Sequence, residues 1–191
     1  SLTKYAAIVG YIMIGALAVN PESLFYGDLI LQTSAFYTPP YERDLARLAR
    51  EMEDAPGVVE KINSNAVRLG SFLQKHPAVK EIYLANRSEN LEELSRGGRG
   101  IGAVITIELS ADMEKFYDAA QVMKGPSFGT RFTLLCPFMY LAHYDLVTTV
   151  DGRARLASAG IDPELIRISV GSEDYDLIET AIAQALDQSI Q

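Results

Sequence analysis

Residues 165–174 read Leu-Ile-Arg-Ile-Ser-Val-Gly-Ser-Glu-Asp. The apolar run over residues 165–170 predicts a strand. Ser172 opens a predicted helix with Glu173 and Asp174 in its first turn, where the helix dipole favours negative charge. Ile178, Ile182 and Leu186 then recur on one face of that helix. Arg167 is the anomaly, because a guanidinium inside an apolar strand is costly unless an anion meets it. A structural salt bridge would satisfy it, and so would a ligand carboxylate gripped by the bidentate fork.

The same rhythm of short strands separated by helices extends upstream. Residues 79–84 and 131–137 read as strands, and residues 103–109 alternate as Ala-Val-Ile-Thr-Ile-Glu-Leu. Residues 110–123 predict a helix with Ser110 as its N-cap. Further back, Val58, Ile62, Ala66, Leu69 and Leu73 fall on one face of a helix that His76-Pro77 ends. Asp54-Ala55-Pro56 separates it from an earlier helical stretch carrying Leu45, Leu48 and Met52, and Thr38-Pro39-Pro40 marks the loop before that. Residues 15–20 read as a short buried strand stopped by Asn20-Pro21. The result is a sheet with helices on it, with a boundary near residues 38–56 between a short N-terminal piece and an α+β domain of about 130 residues.

The totals bound the function. The chain has 191 residues, 17 basic against 25 acidic, and a net charge of -8. No long basic cluster is present, which argues against a nucleic-acid partner. One cysteine, Cys136, allows no internal disulfide, and His76 and His143 lie too far apart for zinc-ligand spacing. This composition suits a reducing, cytoplasmic compartment. The opening, SLTKYAAIVGYIMIGALAVN, carries Lys4 as its only charged side chain. Its apolar run and Ala16-Leu17-Ala18 imitate a secretory signal, but no initiator Met is present and only one basic residue precedes the run. That run is also shorter than the ~20 residues of a membrane helix. A buried strand region is the preferred reading, and no membrane partner is expected.

Several motifs have plain structural explanations. The glycine-rich residues 95–102 lack the strand before and helix after that a dinucleotide fingerprint needs, so they read as a surface turn. His143 and Asp145 have no nucleophile beside them in sequence. Cys136 has no basic neighbour to lower its pKa and reads as an inert core thiol. Of Glu173, Asp174 and Asp176, a helix start accounts for two of the three carboxylates, and no metal is assigned. Lys4 has two readings: a solvated terminal amine, or a partly desolvated and nucleophilic one with the Ser1 and Thr3 hydroxyls able to bind an anion beside it.

Four segments together resemble the pyridoxal-phosphate enzymes of cysteine and methionine metabolism, the family of cystathionine gamma-synthase, the cystathionine lyases, methionine gamma-lyase and the homoserine sulfhydrylases. Ser1-Leu2-Thr3-Lys4-Tyr5 is similar to the family's S-x-T-K-Y, His76-Pro77-Ala78-Val79 to its H-P-x-V, and residues 125–129 to its S-L-G segment. LIRISVGSED is similar to LRxSxGxED, and the four stand in the family's order.

The resemblance implies an α/β chain of fold type I (aspartate aminotransferase-like). Residues 1–45 would end the large cofactor domain, and residues 46–191 would form the small α+β domain, with a mainly antiparallel sheet and helices on one face. It implies Lys4 as the catalytic Schiff-base lysine, Ser1 and Thr3 as hydroxyls on the cofactor phosphate, and Arg167 with Ser127 as the grip on the substrate α-carboxylate. The implied cofactor is pyridoxal 5'-phosphate, and the implied activity is that of a lyase or transferase of transsulfuration. Its substrates would be cysteine, cystathionine, methionine or homoserine esters, handled by a homo-oligomer, dimer or tetramer. The family is about twice this long and continues past the lysine with a polar stretch where this chain has Ile8-Val9-Gly10-Tyr11. A non-catalytic piece that keeps the fold and an assembly surface is the alternative expectation.

Overall fold

A computed structural model describes residues 2–7, 12–85, 100 and 102–191. They fall into two compact units, Ser1–Ala55 and Pro56–Gln191. Among the described residues no helix is long and apolar enough to cross a membrane.

In the first unit, Ala7, Ile12 and Ile14 bury against Leu48 with Leu2 and Ala6 packed around them. The Leu2 N–H donates to the Ile14 carbonyl at 2.9 Å. The strand expected over residues 15–20 is absent: residues 15–18 are exposed, and no described strand lies alongside to complete a ladder. A strand needs cross-strand hydrogen bonds, so an apolar run alone does not make one. Helix α1 (Tyr26–Ala35) was not foreseen and buries none of its residues.

Helix α2 (Glu42–Leu73) is one helix of 32 residues with Pro56 inside it. The two separate helices read from Asp54-Ala55-Pro56 are thus a single element. Proline in a helix interior costs roughly 3 kcal/mol through its missing N–H and ring clash. Apolar anchors on either side of it, Leu48 before and Ile62, Ala66, Leu69 and Leu73 after, oppose that cost by holding both halves helical.

The second unit is a sheet of five strands: β1 (Val79–Tyr83), β2 (Val104–Leu109), β3 (Met123–Lys124), β4 (Leu134–Pro137) and β5 (Ile166–Ser169), in the order β1-β2-β5-β4-β3. All neighbours pair antiparallel except β3 with β4. Ile105, Ile107, Ile166, Ile168, Ile82 and Leu135 point from the sheet into one core. Helices α3 (Met113–Ala119) and α7 (Tyr175–Ser189) cover it with the C-terminal part of α2, through Phe116, Ile178, Ile182, Leu186 and Leu69. This is the expected α+β layer with helices on one face.

Two helix starts differ from expectation. Ser110 is not a cap, because its hydroxyl donates to the Pro77 carbonyl at 2.8 Å beside the β1–β2 pairing. Asp112 caps α3 instead, accepting from the Lys115 N–H at 3.0 Å. The last helix begins later than Ser172, at Tyr175, with Asp174 as N-cap. Glu173 is thereby released from the helix and turns elsewhere. Between β4 and β5, three short helices, α4 (Phe138–Ala142), α5 (Tyr144–Thr148) and α6 (Val150–Ser158), bury Met139, Val147 and Leu156 together.

Candidate functional site

Strand periodicity places Arg167. Ile166 and Ile168 enter the core, so Arg167 and Ser169 stand on the opposite face of β5. Thr106 on β2 and Cys136 on β4 are the cross-strand neighbours of Arg167. One guanidinium N–H donates to the carbonyl of Pro126, the residue before Ser127. The Phe138 and Phe128 ring centroids lie 5.0 and 5.8 Å from its Cζ and favour the cation through their π faces. Arg167 forms no ion pair with a carboxylate among the described residues. Ser127 itself is half-buried.

A hydrogen-bonded zipper joins the segment after Ser127 to the end of β5. The Gly129 N–H donates to Ser169 Oγ at 3.3 Å, and the Ser172 N–H to the Arg131 carbonyl at 2.8 Å. Thr133 closes it: its N–H donates to Glu173 Oε1, its hydroxyl to Glu173 Oε2 at 3.1 Å, and Oγ1 accepts from the Gly171 N–H at 3.0 Å. Asn65 of α2 fastens the outer side, with Nδ2 donating to the Gly171 and Glu173 carbonyls at 3.0 and 2.9 Å. None of Thr133, Asn65 or the Pro126 carbonyl is marked in the sequence. Glu173 is, but its acidity reads there as a helix-start signal.

The lysine end lies in the other unit. Ser1 falls outside the described residues, as do Ile8, Val9, Gly10 and Tyr11. Lys4 sits half-buried in a turn over residues 3–6. Thr3 Oγ1 accepts from the Ile14 N–H at 3.1 Å and donates to the Ile14 carbonyl at 3.3 Å. A phosphate there would take the Thr3 proton after rotation about one bond, because the present acceptor is distant. A partly shielded primary amine on a turn suits a bond to an aldehyde. Lys4 and Thr3 therefore fit a cofactor that presents both groups.

The other candidates fall away. His143 lies where α4 meets α5, edge-on to Phe138 at 5.9 Å, and no hydrogen bond links it to Asp145. Cys136 is buried and free, and burial pushes its thiol pKa up, with Arg167 partly opposing. Among the described residues no three His, Cys, Asp or Glu side chains gather as metal ligands. Of the glycine-rich stretch, residues 95–99 and 101 lie outside the described ones. The Gly102 N–H donates to Asn63 Oδ1 at 2.8 Å.

A second charged group stands on the same sheet face as Arg167. Tyr83 Oη donates to Glu108 Oε1 at 2.5 Å, and Lys80 Nζ lies 2.9 Å from Oε2. The bond to Glu108, with burial, pushes the Tyr83 pKa up to about 12. The Tyr83 and Lys80 hydrogen bonds hold Glu108 below its ordinary 4.5. A lowered folded-state pKa means that the unfolded chain takes up the proton first as pH falls. The stabilisation is therefore complete above about 4.5 and is lost below it. Glu108→Gln should flatten the decline of melting temperature between about pH 5 and pH 3, and an unchanged slope in that variant would refute the assignment.

The fold is that of solved pyridoxal-phosphate enzymes over about half of their length. A solved cystathionine gamma-lyase from Lactobacillus plantarum superposes with a TM-score of 0.80 at 23% identity, over 99% of this chain and 49% of that one. A cystathionine gamma-synthase from Xanthomonas oryzae gives 0.79 at 21% identity, over 99% and 49%. The chain belongs to the Cys/Met metabolism PLP-dependent enzyme family, whose pattern it matches over residues 1–187. Among relatives, an L-2-amino-4-chloropent-4-enoate dechlorinase/desaturase of Streptantibioticus cattleyicolor is 36% identical over 190 residues, 98% of this chain and 38% of that protein. The Neurospora crassa cystathionine gamma-synthase is 33% identical over 195 residues, covering 97% and 30%. The chain thus spans 30 to 38% of the length of these relatives and about half that of the solved structures.

Proposed function

We propose that this chain is the C-terminal half of a pyridoxal-phosphate enzyme that eliminates or replaces a substituent on the β or γ carbon of an L-amino acid. Residues up to about 45 would close the cofactor domain, and the remainder would be the small domain that grips substrate. The observation that carries this reading is Arg167: a guanidinium in a strand, flanked by two phenyl rings, whose described partner is a carbonyl and no carboxylate. Its net charge is thereby left for an anion, and a substrate α-carboxylate matches its fork.

The bound cofactor supplies an electron sink that stabilises negative charge at the substrate Cα. Lys4 would hold the cofactor aldehyde, and its Nζ would move the Cα proton. Thr3 and Ser1 would offer their hydroxyls to the phosphate. Arg167 and the Ser127 segment fix the carboxylate and so the direction in which the Cα–H bond points. Both named relatives favour γ chemistry: the chloropentenoate carries its chlorine on C4, the γ carbon, and the synthase is a gamma-synthase. The preferred substrate class is therefore an L-amino acid with a leaving group on Cγ. Cystathionine, methionine and homoserine esters belong to it, and cysteine would be its β counterpart.

A homo-oligomer, dimer or tetramer, is part of this reading. Leu24, Phe25, Leu31 and Phe36 on and around α1 are 98, 67, 71 and 84% exposed, which is apolar area in need of a cover.

Arg167→Lys tests the reading in a polypeptide completed by the N-terminal portion of a family member. A lysine keeps the charge and loses the fork, so KM for L-cystathionine should rise about 10- to 100-fold with kcat changed much less. An unchanged KM would refute the role of Arg167.

A further inference from the structure

We infer that the sheet face carrying Arg167 also holds a binding site for an organic cation with an apolar body. Its place is a cavity of about 590 Å³ between that face and the three short helices α4, α5 and α6. Small-ligand sites run from roughly 300 to 1,000 Å³, so the space suffices for such a molecule. Two local features shape it. Ile105 and Ile107 point into the core, so Thr106 and Glu108 face the other way and form the floor with Tyr83 of β1. Gly160, with φ at 65°, turns the chain after α6, and Ile161, Asp162 and Leu165 return along the cavity to β5. Phe138 lines the cavity as well, and its ring centroid is 5.0 Å from the Arg167 Cζ. This inference stands whether or not Arg167 grips a substrate.

The lining is of two kinds. Phe138, Met139, Leu146, Leu156 and Leu165 supply apolar surface, which gains about 25 cal/mol per Å² when a ligand covers it. Glu108 and Asp162 supply carboxylates, and Glu81 stands across from Glu108 in the β1–β2 pairing. The register of that pairing shifts at Lys80, between Val79 and Glu81, and a bulge of this kind re-aims a side chain. Lys80 Nζ thereby lies 2.9 Å from Glu108 Oε2 and 3.8 Å from Asp162 Oδ2. One ammonium thus faces three carboxylates, and the excess negative charge favours a cation. The Lys80 side chain is more than half exposed and is not among the lining residues, so it does not close the cavity. The Tyr83 hydroxyl holds the Glu108 carboxylate in place, and the Tyr83 and Phe138 rings add π faces that attract a cation.

The test uses the chain with its methionine methyl groups labelled with carbon-13 and followed by NMR. Met139 is in the apolar wall, whereas Met13, Met52, Met113 and Met123 are not. Benzyltrimethylammonium is the probe, because a quaternary nitrogen forms no bond with an aldehyde. It should shift the Met139 signal saturably and leave the other methionines unmoved. Phenylacetate keeps the ring and reverses the charge, and tetramethylammonium keeps the charge without the ring; each should bind about tenfold more weakly or worse. Glu108→Gln and Asp162→Asn should each weaken the probe about three- to tenfold. Asp162 is on the loop after α6, so its variant carries the test if Glu108→Gln does not fold. In a polypeptide completed by the N-terminal portion of a family member, the same titration should give the same Met139 shift. Its loss there would overturn the inference, because protein would then fill the cavity. An unmoved Met139 signal, equal binding of phenylacetate, or undiminished affinity in both acid variants would overturn it too.

Discussion

Lys4→Ala, in a polypeptide completed by the N-terminal portion of a family member, leaves no pyridoxal phosphate trapped by borohydride on residues 1–7 and lowers turnover by about 10³-fold or more. The size follows from two losses. The amine proposed to move the Cα proton is gone, and such a group contributes about 10²- to 10⁴-fold. The covalent hold on the cofactor is gone as well. Lys4→Arg should behave the same way, because a guanidinium remains protonated and forms no stable bond with the aldehyde. The measurement is mass analysis of the reduced protein after proteolysis. Label on another lysine, or label retained by either variant, would refute the role of Lys4.

Gly171→Ala has a large expected effect on folding. An added Cβ would meet the Phe132 carbonyl carbon at 2.5 Å and the Arg131 oxygen at 2.6 Å, as well as the Glu173 carboxylate. Two of these three atoms are backbone and cannot swing away, so the zipper between the loop and β5 must open. Overpacking typically costs 1 to 3 kcal/mol, and the buried bonds of Thr133 are lost with it, so about 3 kcal/mol or more is expected. Gly57→Ala is the counterpart, since nothing lies within 4 Å of its Cβ position in α2. There the gain in helix propensity should stabilise by about 0.5 to 1 kcal/mol. Urea unfolding of the chain measures both, and a neutral Gly171→Ala would show that the loop and strand are not locked together.

The role of Arg167 was half legible before any fold was known. Its cost inside an apolar strand called for an anion but left open a salt bridge or a ligand. The packing around β5 shows that no described acid meets the guanidinium, which Phe128, Phe138 and the Pro126 carbonyl surround. Glu173 shows the reverse case. Local chemistry offered its carboxylate to the helix dipole, and tertiary hydrogen bonds to Thr133 outcompeted it, because two donors from a buried threonine are worth more than a first-turn charge.

The sequence by itself determined the periodic elements: the α2 face through Leu69 and Leu73, the alternation of β2, the core strand β5 and the α7 face, because burial period and local propensity agree there. It also determined the family, through four motifs in order. What only the tertiary structure decided depends on partners distant in the chain. Pro56 remains inside a helix because apolar anchors flank it, residues 15–20 form no strand because no described neighbour pairs with them, and Ser110 caps nothing because Pro77 claims its hydroxyl. Each is a competition for the same hydrogen-bonding group or apolar face, and its winner lies too far along the chain for a local pattern to register.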